Sequence, residues 1–334
     1  MGLPDETLSR QEAVAPLLSV VVPFYNEQGN VDALFARLLP VLESLGESWE
    51  VVCVNDGSAD ATLERLLACR ARDCRINIVD FSRNFGKECA LSAGLSQARG
   101  QTVVVMDADL QHPPETIPAL LAKWREGYEM VYAVRHARTG QSPLYRLFAR
   151  MFYSIMGKLS DVTLPAEVGD FRLLDRRIVD VITAMPERSR FMKGIFSWVG
   201  FRQTGVVYRQ EARTEGASRW RFFALLRFAF DGLAAFSTFP LTVWGLIGAA
   251  ISGLSFLYIL VRLIRVAVWG IDVPGYESII VAILFLGGVQ LLSLGILGSY
   301  LGRVFQEVKQ RPLYVVRQVY GESIPAILPR EKNP

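Results

Sequence analysis

The stretch Val103–Gln111, VVVMDADLQ, decides how the chain is read. Its run of apolar β-formers predicts a buried strand. The run ends on two aspartates one residue apart, Asp107 and Asp109, with Gln111 behind them. In a regular strand residues two apart share a face, so both carboxylates can point the same way. At a strand end they can instead splay around one ligand. Two close carboxylates repel and favour protonation of one, unless a cation lies between them. A hard divalent cation with oxygen ligands, bridging to phosphates, suits that chemistry. The competing reading is structural: Asp109 merely starts the helix predicted by HPPETIPALLAKW.

Upstream, the same pattern repeats. Leu17–Pro23 reads as a first strand ending in PFYNEQGN, and Glu50–Val54 as a second ending in NDGSAD. Ile76–Phe81 is a third, ending in SRNFGKE. Helical spacing of apolar residues fills the intervals at Val31–Leu45, Ala61–Arg72 and Glu88–Ala98. Alternating strands and helices predict a mainly parallel sheet with helices on both faces. Ligands bind such sheets at the carboxyl ends of the strands. Every one of these ends carries polar residues: Tyr25, Asn26 and Glu27; Asn55 and Asp56; Ser82, Arg83 and Lys87; Asp107, Asp109 and Gln111. Any one set can be turn chemistry; all falling on one sheet edge marks a ligand site. The chain has neither G-x-G-x-x-G nor G-x-x-x-x-G-K-[ST], which argues against a dinucleotide dehydrogenase and a P-loop enzyme.

Downstream, Met130–Val134 predicts another strand, followed by the basic loop RHARTGQSPLYR. Leu144–Leu159 is an aromatic-rich helix. In Val168–Arg177, VGDFRLLDRR, a carboxylate beside an arginine reads as a paired site or an ordinary ion pair. Val206–Arg209 reads as a last strand. Ser218–Ser237 carries Arg219, Arg221 and Arg227, with Trp220, Phe223, Leu226 and Phe230 at helical spacing. That pattern predicts a helix in a membrane interface. Phe239–Leu260 and Ile279–Leu301 are almost uncharged and long enough to span a hydrocarbon core. The loop between them, VWGIDVPGYE (268–277), is acidic without Lys or Arg, and basic residues flank the pair outside, so the positive-inside rule puts both ends in the cytoplasm. Arg262 and Arg265 count against that orientation. Leu313–Val319 predicts a strand able to join the sheet edge of a neighbouring subunit.

The bulk numbers agree. A chain of 334 residues holds two or three units. Net charge is +3, which implies no nucleic-acid partner. Met1–Pro16 lacks the apolar core of a signal peptide, so the leading domain is expected in the cytoplasm. Cys53, Cys69, Cys74 and Cys89 form no C-x-x-C pair, and His112 and His136 offer no zinc spacing. They read as reduced thiols. The expected organisation is a flexible tail at 1–16, a catalytic domain at 17–212 and a juxtamembrane segment at 213–237. Two transmembrane helices at about 239–265 and 277–301 and a cytoplasmic tail at 303–334 follow.

Taken together, the motifs VVPFYNE (21–27), VNDGSAD (54–60), RNFGKECALSAG (83–94), MDADLQHPPE (106–115) and GDFRLLDRR (169–177) resemble glycosyltransferase family 2. The resemblance covers roughly Leu18–Val316. The C-terminal spans and FLGGVQLLSLGILGSYLGRVFQEVKQRPLYVV (285–316) are similar to its polyprenyl-phosphate branch. That branch includes bactoprenol glucosyltransferases, dolichol-phosphate mannosyltransferases and undecaprenyl-phosphate aminoarabinose transferases. The resemblance implies a GT-A nucleotide-sugar-binding fold. It implies that Pro23, Tyr25, Glu27 and Asp56 hold the nucleotide base and ribose, with Lys87 and Ala108 in the same donor site. Asp107, Asp109 and Gln111 would bind diphosphate and Mg²⁺ or Mn²⁺, and Arg135 would approach the donor. Asp109, Asp170 and Arg172 would be catalytic, the last two facing the reacting centre. Arg213, Ser218 and Arg219 would contact lipid phosphate or diphosphate; the family more often has Lys then Tyr where this chain has Arg219 and Trp220.

The implied activity is inverting transfer of a sugar from a nucleotide donor to polyprenyl (undecaprenyl) phosphate, with UDP-glucose the first choice. UDP-N-acetylhexosamine, GDP-mannose and a modified arabinose stay open as donors. The implied setting is a multi-pass protein of the bacterial inner membrane, a homo-tetramer, working before a flippase and a second glycosyltransferase. Three rivals remain. A processive polysaccharide synthase needs Q-x-x-R-W, and position 216 here is Gly. A non-catalytic nucleotide-sugar-binding scaffold would not need the three aspartates. A transporter would need charge inside its spans.

Overall fold

A computed structural model describes residues 15–135, 168–188, 190–208 and 275–321, with scattered positions between 248 and 268. Its framework is β1 (Leu18–Phe24), α1 (Val31–Ser44), β2 (Trp49–Asn55), α2 (Thr62–Arg72), β3 (Ile76–Phe81), α3 (Lys87–Gln97) and β4 (Thr102–Val105). Then come α4 (Ile117–Arg125), β5 (Met130–Arg135), β6 (Val168–Asp175), α5 (Arg176–Ala184), α6 (Met192–Trp198) and β7 (Gln203–Tyr208). The long helix α7 (Tyr276–Lys309) and β8 (Val316–Tyr320) close the described chain.

The strands form one eight-stranded sheet in the order β7-β5-β6-β4-β1-β2-β3-β8. Strands β4, β1, β2 and β3 are mutually parallel, as the alternating pattern predicts. Their apolar runs are buried on both faces. Val20, Val22, Val51 and Cys53 face the side covered by α1 and α2, and Val21, Val52 and Val54 face α3. Period-two alternation thus divides each strand between two cores. Helix α3 lies close on the sheet because Gly94 has no side chain: a Cβ there would stand 2.2 Å from Val21 Cγ1.

The sheet is more mixed than the sequence implied. β6 runs antiparallel between β4 and β5, and β8 runs antiparallel on the outer edge of β3. The C-terminal strand, read from sequence as able to join a neighbouring subunit's sheet edge, pairs here with β3 of its own chain. The link from α7 to β8 is short enough to reach that edge directly. The opening stretch is also shorter as a strand than it reads. β4 ends at Val105, so Asp107 and Asp109 lie in the turn beyond it.

Helix α7 has 34 residues, about 51 Å at the usual rise per residue. It continues to Lys309, past the expected end at Leu301, taking in Arg303 and Glu307. Among the described residues one helical stretch, Phe285–Lys309, is long and apolar enough to cross a membrane, and none of it is buried. The other expected span falls mostly outside the described residues; the described positions from Gly248 to Val268 are helical. The aromatic-rich segment 144–159 and the basic segment 218–237 lie outside them.

Candidate active site

The C-terminal edge of the parallel strands gathers the polar strand ends. After Val105, Met106 still donates its N–H to Val21 O, and the chain then turns through Leu110, whose φ is +61°. The Asp109 carboxylate accepts the Gln111 N–H at 3.1 Å, which closes the turn. Asp109 does contribute turn chemistry, as the structural reading proposed, but the helix start is set further on by Pro113 and Pro114.

Asp170 reaches this edge because β6 is reversed. Val105 pairs with Arg172, so continuing the register by two residues brings Asp170 opposite Asp107. Lys87, first residue of α3, stands between them. Its Nζ lies 2.6 Å from Asp107 Oδ1 and 2.6 Å from Asp170 Oδ2. Burial opposes the charge on Lys87, but the two carboxylates outweigh it and hold its pKa above the ordinary lysine value. Burial also opposes the charge on Asp170. Lys87, Lys193 and Arg172 overcome that effect and bring its carboxyl down to about 2. Both groups are thus charged at neutral pH, and the lysine offsets the repulsion between Asp107 and Asp170, a different pair from the Asp107 and Asp109 between which a divalent cation was expected.

Arg172 departs from expectation. Its side chain is buried under α6, not exposed at the edge: Nη2 donates to Gly169 O, and the guanidinium lies 4.1 Å from the Phe196 ring centroid. Its register position opposite Val105 sets it within the sheet, beneath α6. Burial lowers its pKa to about 10, against the opposing pull of Asp170 and Tyr132. Its charge acts on Asp170 from behind; the expected Asp170–Arg172 pair is replaced by Asp170 with Lys87.

Asp56 is buried, and both its oxygens are engaged by backbone. Oδ1 accepts the Phe85 N–H at 2.7 Å and Oδ2 the Gly86 N–H at 2.9 Å. Burial raises its pKa and these bonds work against the rise. This carboxylate therefore shapes the loop after β3. Gly57 permits the approach: its φ is +62°, and a Cβ would stand 2.3 Å from the Arg83 carbonyl carbon. Across the edge, Glu27 N donates to Thr62 Oγ1, Glu27 Oε2 accepts from Asn30 Nδ2, and Asn26 N donates to Ser58 Oγ. These bonds join the loops after β1 and β2. Tyr25 is half-exposed beside them, and Pro23 is partly buried. Ala108 is buried in the turn. Arg135 ends β5 at the same edge, paired with Tyr208. Arg213, Ser218 and Arg219 lie outside the described residues.

His112 has a part that the sequence did not suggest. It is buried, its Nδ1 accepts the Asp107 N–H at 3.2 Å, and it stacks on Phe171 at 5.1 Å. With Nδ1 accepting, the nearby Asp107 carboxylate at 3.8 Å faces a neutral ring, so this is not a charge pair. In the sequence His112 stands only as the residue directly after D-x-D-x-Q, five positions from Asp107.

The edge thus gathers the polar loops of parallel strands, two turn aspartates and a charged lysine held between two carboxylates, on an α/β sheet. The glycosyl transferase family 2 model matches residues 19–183. An uncharacterized glycosyltransferase of Synechocystis sp. is 51% identical over 315 residues, covering 94% of this chain and 98% of that protein. The bactoprenol glucosyl transferase of Shigella phage SfII is 43% identical over 301 residues, covering 90% and 97%. Among solved structures, glucosyl-3-phosphoglycerate synthase from Mycobacterium tuberculosis, with Mn²⁺, uridine diphosphate and phosphoglyceric acid, aligns with a TM-score of 0.46 at 21% identity. That alignment covers 66% of this chain and 76% of that one. The chain belongs to glycosyltransferase family 2. It is a glycosyltransferase with a GT-A type α/β fold on a mixed sheet.

Proposed function

We propose that this enzyme transfers a sugar, glucose from UDP-glucose first, to the phosphate of a polyprenyl lipid at the cytoplasmic face of a bacterial membrane. One observation carries the reading. A carboxylate–lysine–carboxylate site at the sheet edge occurs in the same chain as a 34-residue helix whose apolar stretch is not buried. The bactoprenol glucosyl transferase names of relatives that align over about nine-tenths of the chain support the lipid acceptor and the glucose.

The donor set at Asp107, Asp109 and Gln111 is all oxygen, which fits Mg²⁺ or Mn²⁺. Among the described residues no group of three His, Cys, Asp or Glu could enclose a metal, so the ion would complete its shell with donor phosphates and water. Bound there, it would neutralise charge growing on the departing nucleoside diphosphate.

The other steps belong to side chains. Pro23, Tyr25, Glu27 and the loop organised by Asp56 receive the nucleotide. Lys87 keeps Asp170 ionised and offers positive charge to the diphosphate. A lipid monophosphate, with a second pKa of about 6 by analogy with phosphorylated side chains, is already nucleophilic at neutral pH. Asp170 therefore positions the acceptor more than it removes a proton. In-line attack inverts the anomeric carbon. Arg213, Ser218 and Arg219 grip the acceptor phosphate, and two spans at about 239–265 and 277–301 hold the site at the bilayer.

The test is incubation of membranes containing the enzyme with undecaprenyl phosphate and radiolabelled UDP-glucose, UDP-N-acetylglucosamine or GDP-mannose. Lipid-extractable label from UDP-glucose is expected. Label from another donor reassigns the sugar, and donor binding without transfer to the lipid refutes the polyprenyl-phosphate acceptor.

A further inference from the structure

The strand after the long helix carries an irregularity beside the site. β8 pairs with β3 as Asp80↔Gln318 and then Phe81↔Val316, so the register slips between them. Arg317 is the extra residue of that bulge. A bulge frees one residue from the ladder and re-aims its side chain. Arg317 turns back across the end of β3: Nη1 lies 3.5 Å from Asp80 Oδ2, and Nη2 donates to Ser82 O at 2.9 Å.

Both contacts lead into the loops that surround the site. Asp80 is 1% exposed, its Oδ2 accepts no hydrogen bond among the described residues, and its Oδ1 accepts Asn55 Nδ2 at 2.7 Å. A buried carboxylate needs compensating charge, and among the described residues Arg317 is a cation facing it. Held by Asp80, Asn55 presents its own Oδ1 toward the Ser58 N–H at 3.4 Å in the loop after β2. Ser82 opens the loop after β3, whose Phe85 and Gly86 N–H groups bind Asp56. The segment is anchored on both sides of the bulge. Ser82 N donates to Val315 O, and Tyr314 stacks on Phe81 at 4.9 Å and meets Ser96 Oγ at 3.2 Å.

We infer that Arg317 is a positioning residue for the nucleotide donor, fixing the loops after β2 and β3 through Asp80, Asn55 and Ser82. The inference rests on the reading of those loops as the donor's nucleotide site. It also links that site to the helix: Glu307 of α7 accepts the Arg188 N–H at 3.0 Å, and Arg188 donates to Arg311 O between α7 and β8.

The test uses the full-length enzyme in detergent, with UDP and GDP as binding probes and the lipid-transfer assay for rates. Arg317→Gln should raise the donor KM and the nucleotide Kd about three- to tenfold, the coupling typical of neighbours in one network, with kcat and lipid KM nearly unchanged. Arg317→Lys should recover part of the loss. Arg75→Gln, which removes another half-exposed arginine paired with Asp73 and Glu43, should leave donor KM unchanged. Unaltered nucleotide affinity in folded Arg317→Gln, or a loss that falls equally on donor and lipid, overturns the inference. If the wild-type enzyme binds neither nucleotide, the donor reading itself falls and this inference falls with it; a wild type that binds and a variant that binds equally well removes this inference alone.

Discussion

Replacing Lys87 with Met tests the centre of the site. The substitution keeps a flexible apolar stem and removes the charge between Asp107 and Asp170. An ordinary aspartate value of 3.8 against about 2 for Asp170 corresponds to about 2 kcal/mol of preference for the charged form in the fold. Lys193 and Arg172 share in it, so that figure bounds what Lys87 supplies. A depressed carboxylate pKa stabilises the fold fully above 3.8 and loses that contribution as pH falls toward 2. The variant's deficit is therefore fully expressed at pH 7. It amounts to a loss of at most about 4–8 °C in Tm for a domain of this size.

The catalytic consequence has a direction too. Without Lys87, burial and the Asp107 charge both favour the neutral acid, so the Asp170 carboxyl titrates higher. The acid limb of kcat/KM, which reports the free enzyme, moves up in pH. At pH 7 kcat/KM falls about 10²–10³-fold, the scale of losing one preorganised charge-stabilising group. Lys87→Arg retains charge with different geometry, so it should keep the low acid limb while losing rate. Thermal unfolding at pH 7 and the pH profile of lipid labelling are the assays. A Lys87→Met enzyme with wild-type Tm and an unmoved acid limb would refute the reasoning.

Two further outcomes follow from the turn and loop geometry. Asp109→Ala should reduce transfer at least about 10²-fold with Tm nearly unchanged; full activity of the wild-type enzyme in excess chelator would remove the metal role from that turn. Gly57→Ala forces a side chain into the left-handed region and into the Arg83 backbone. It should cost about 1–3 kcal/mol of stability and weaken UDP binding, read by thermal unfolding and titration; wild-type values for both would show that the loops tolerate the shift.

The parallel half of the sheet was legible because its signals are local. Apolar runs such as Val51–Val54, broken by NDGSAD, report a strand buried on both faces and the turn that ends it. The lining of one edge by Glu27, Asp56, Lys87 and Asp107 followed from parallelism alone. The two reversed strands were not legible in the same way. Direction in a sheet depends on where a connection returns, and residues 136–167 between β5 and β6 carry no local mark of that. β8 is separated from β3 by more than two hundred residues, so its partner could not be read from its own five.

The reversal of β6 also decides how the charges of GDFR are partnered. Read as a string, GDFR puts a carboxylate and a guanidinium two residues apart, and an ion pair is the natural inference. Read in the sheet, the same spacing puts both on one face of a strand that enters from the ligand edge. Asp170 then stands at the rim and Arg172 one step inside, under Phe196. The rim carboxylate meets Lys87, which another element supplies, and the arginine becomes a buried charge acting behind it. The D-x-D turn thus supplies one side of the carboxylate–lysine cluster. The other side, Asp170, reaches Lys87 only because an antiparallel strand was inserted between two strands that run the other way.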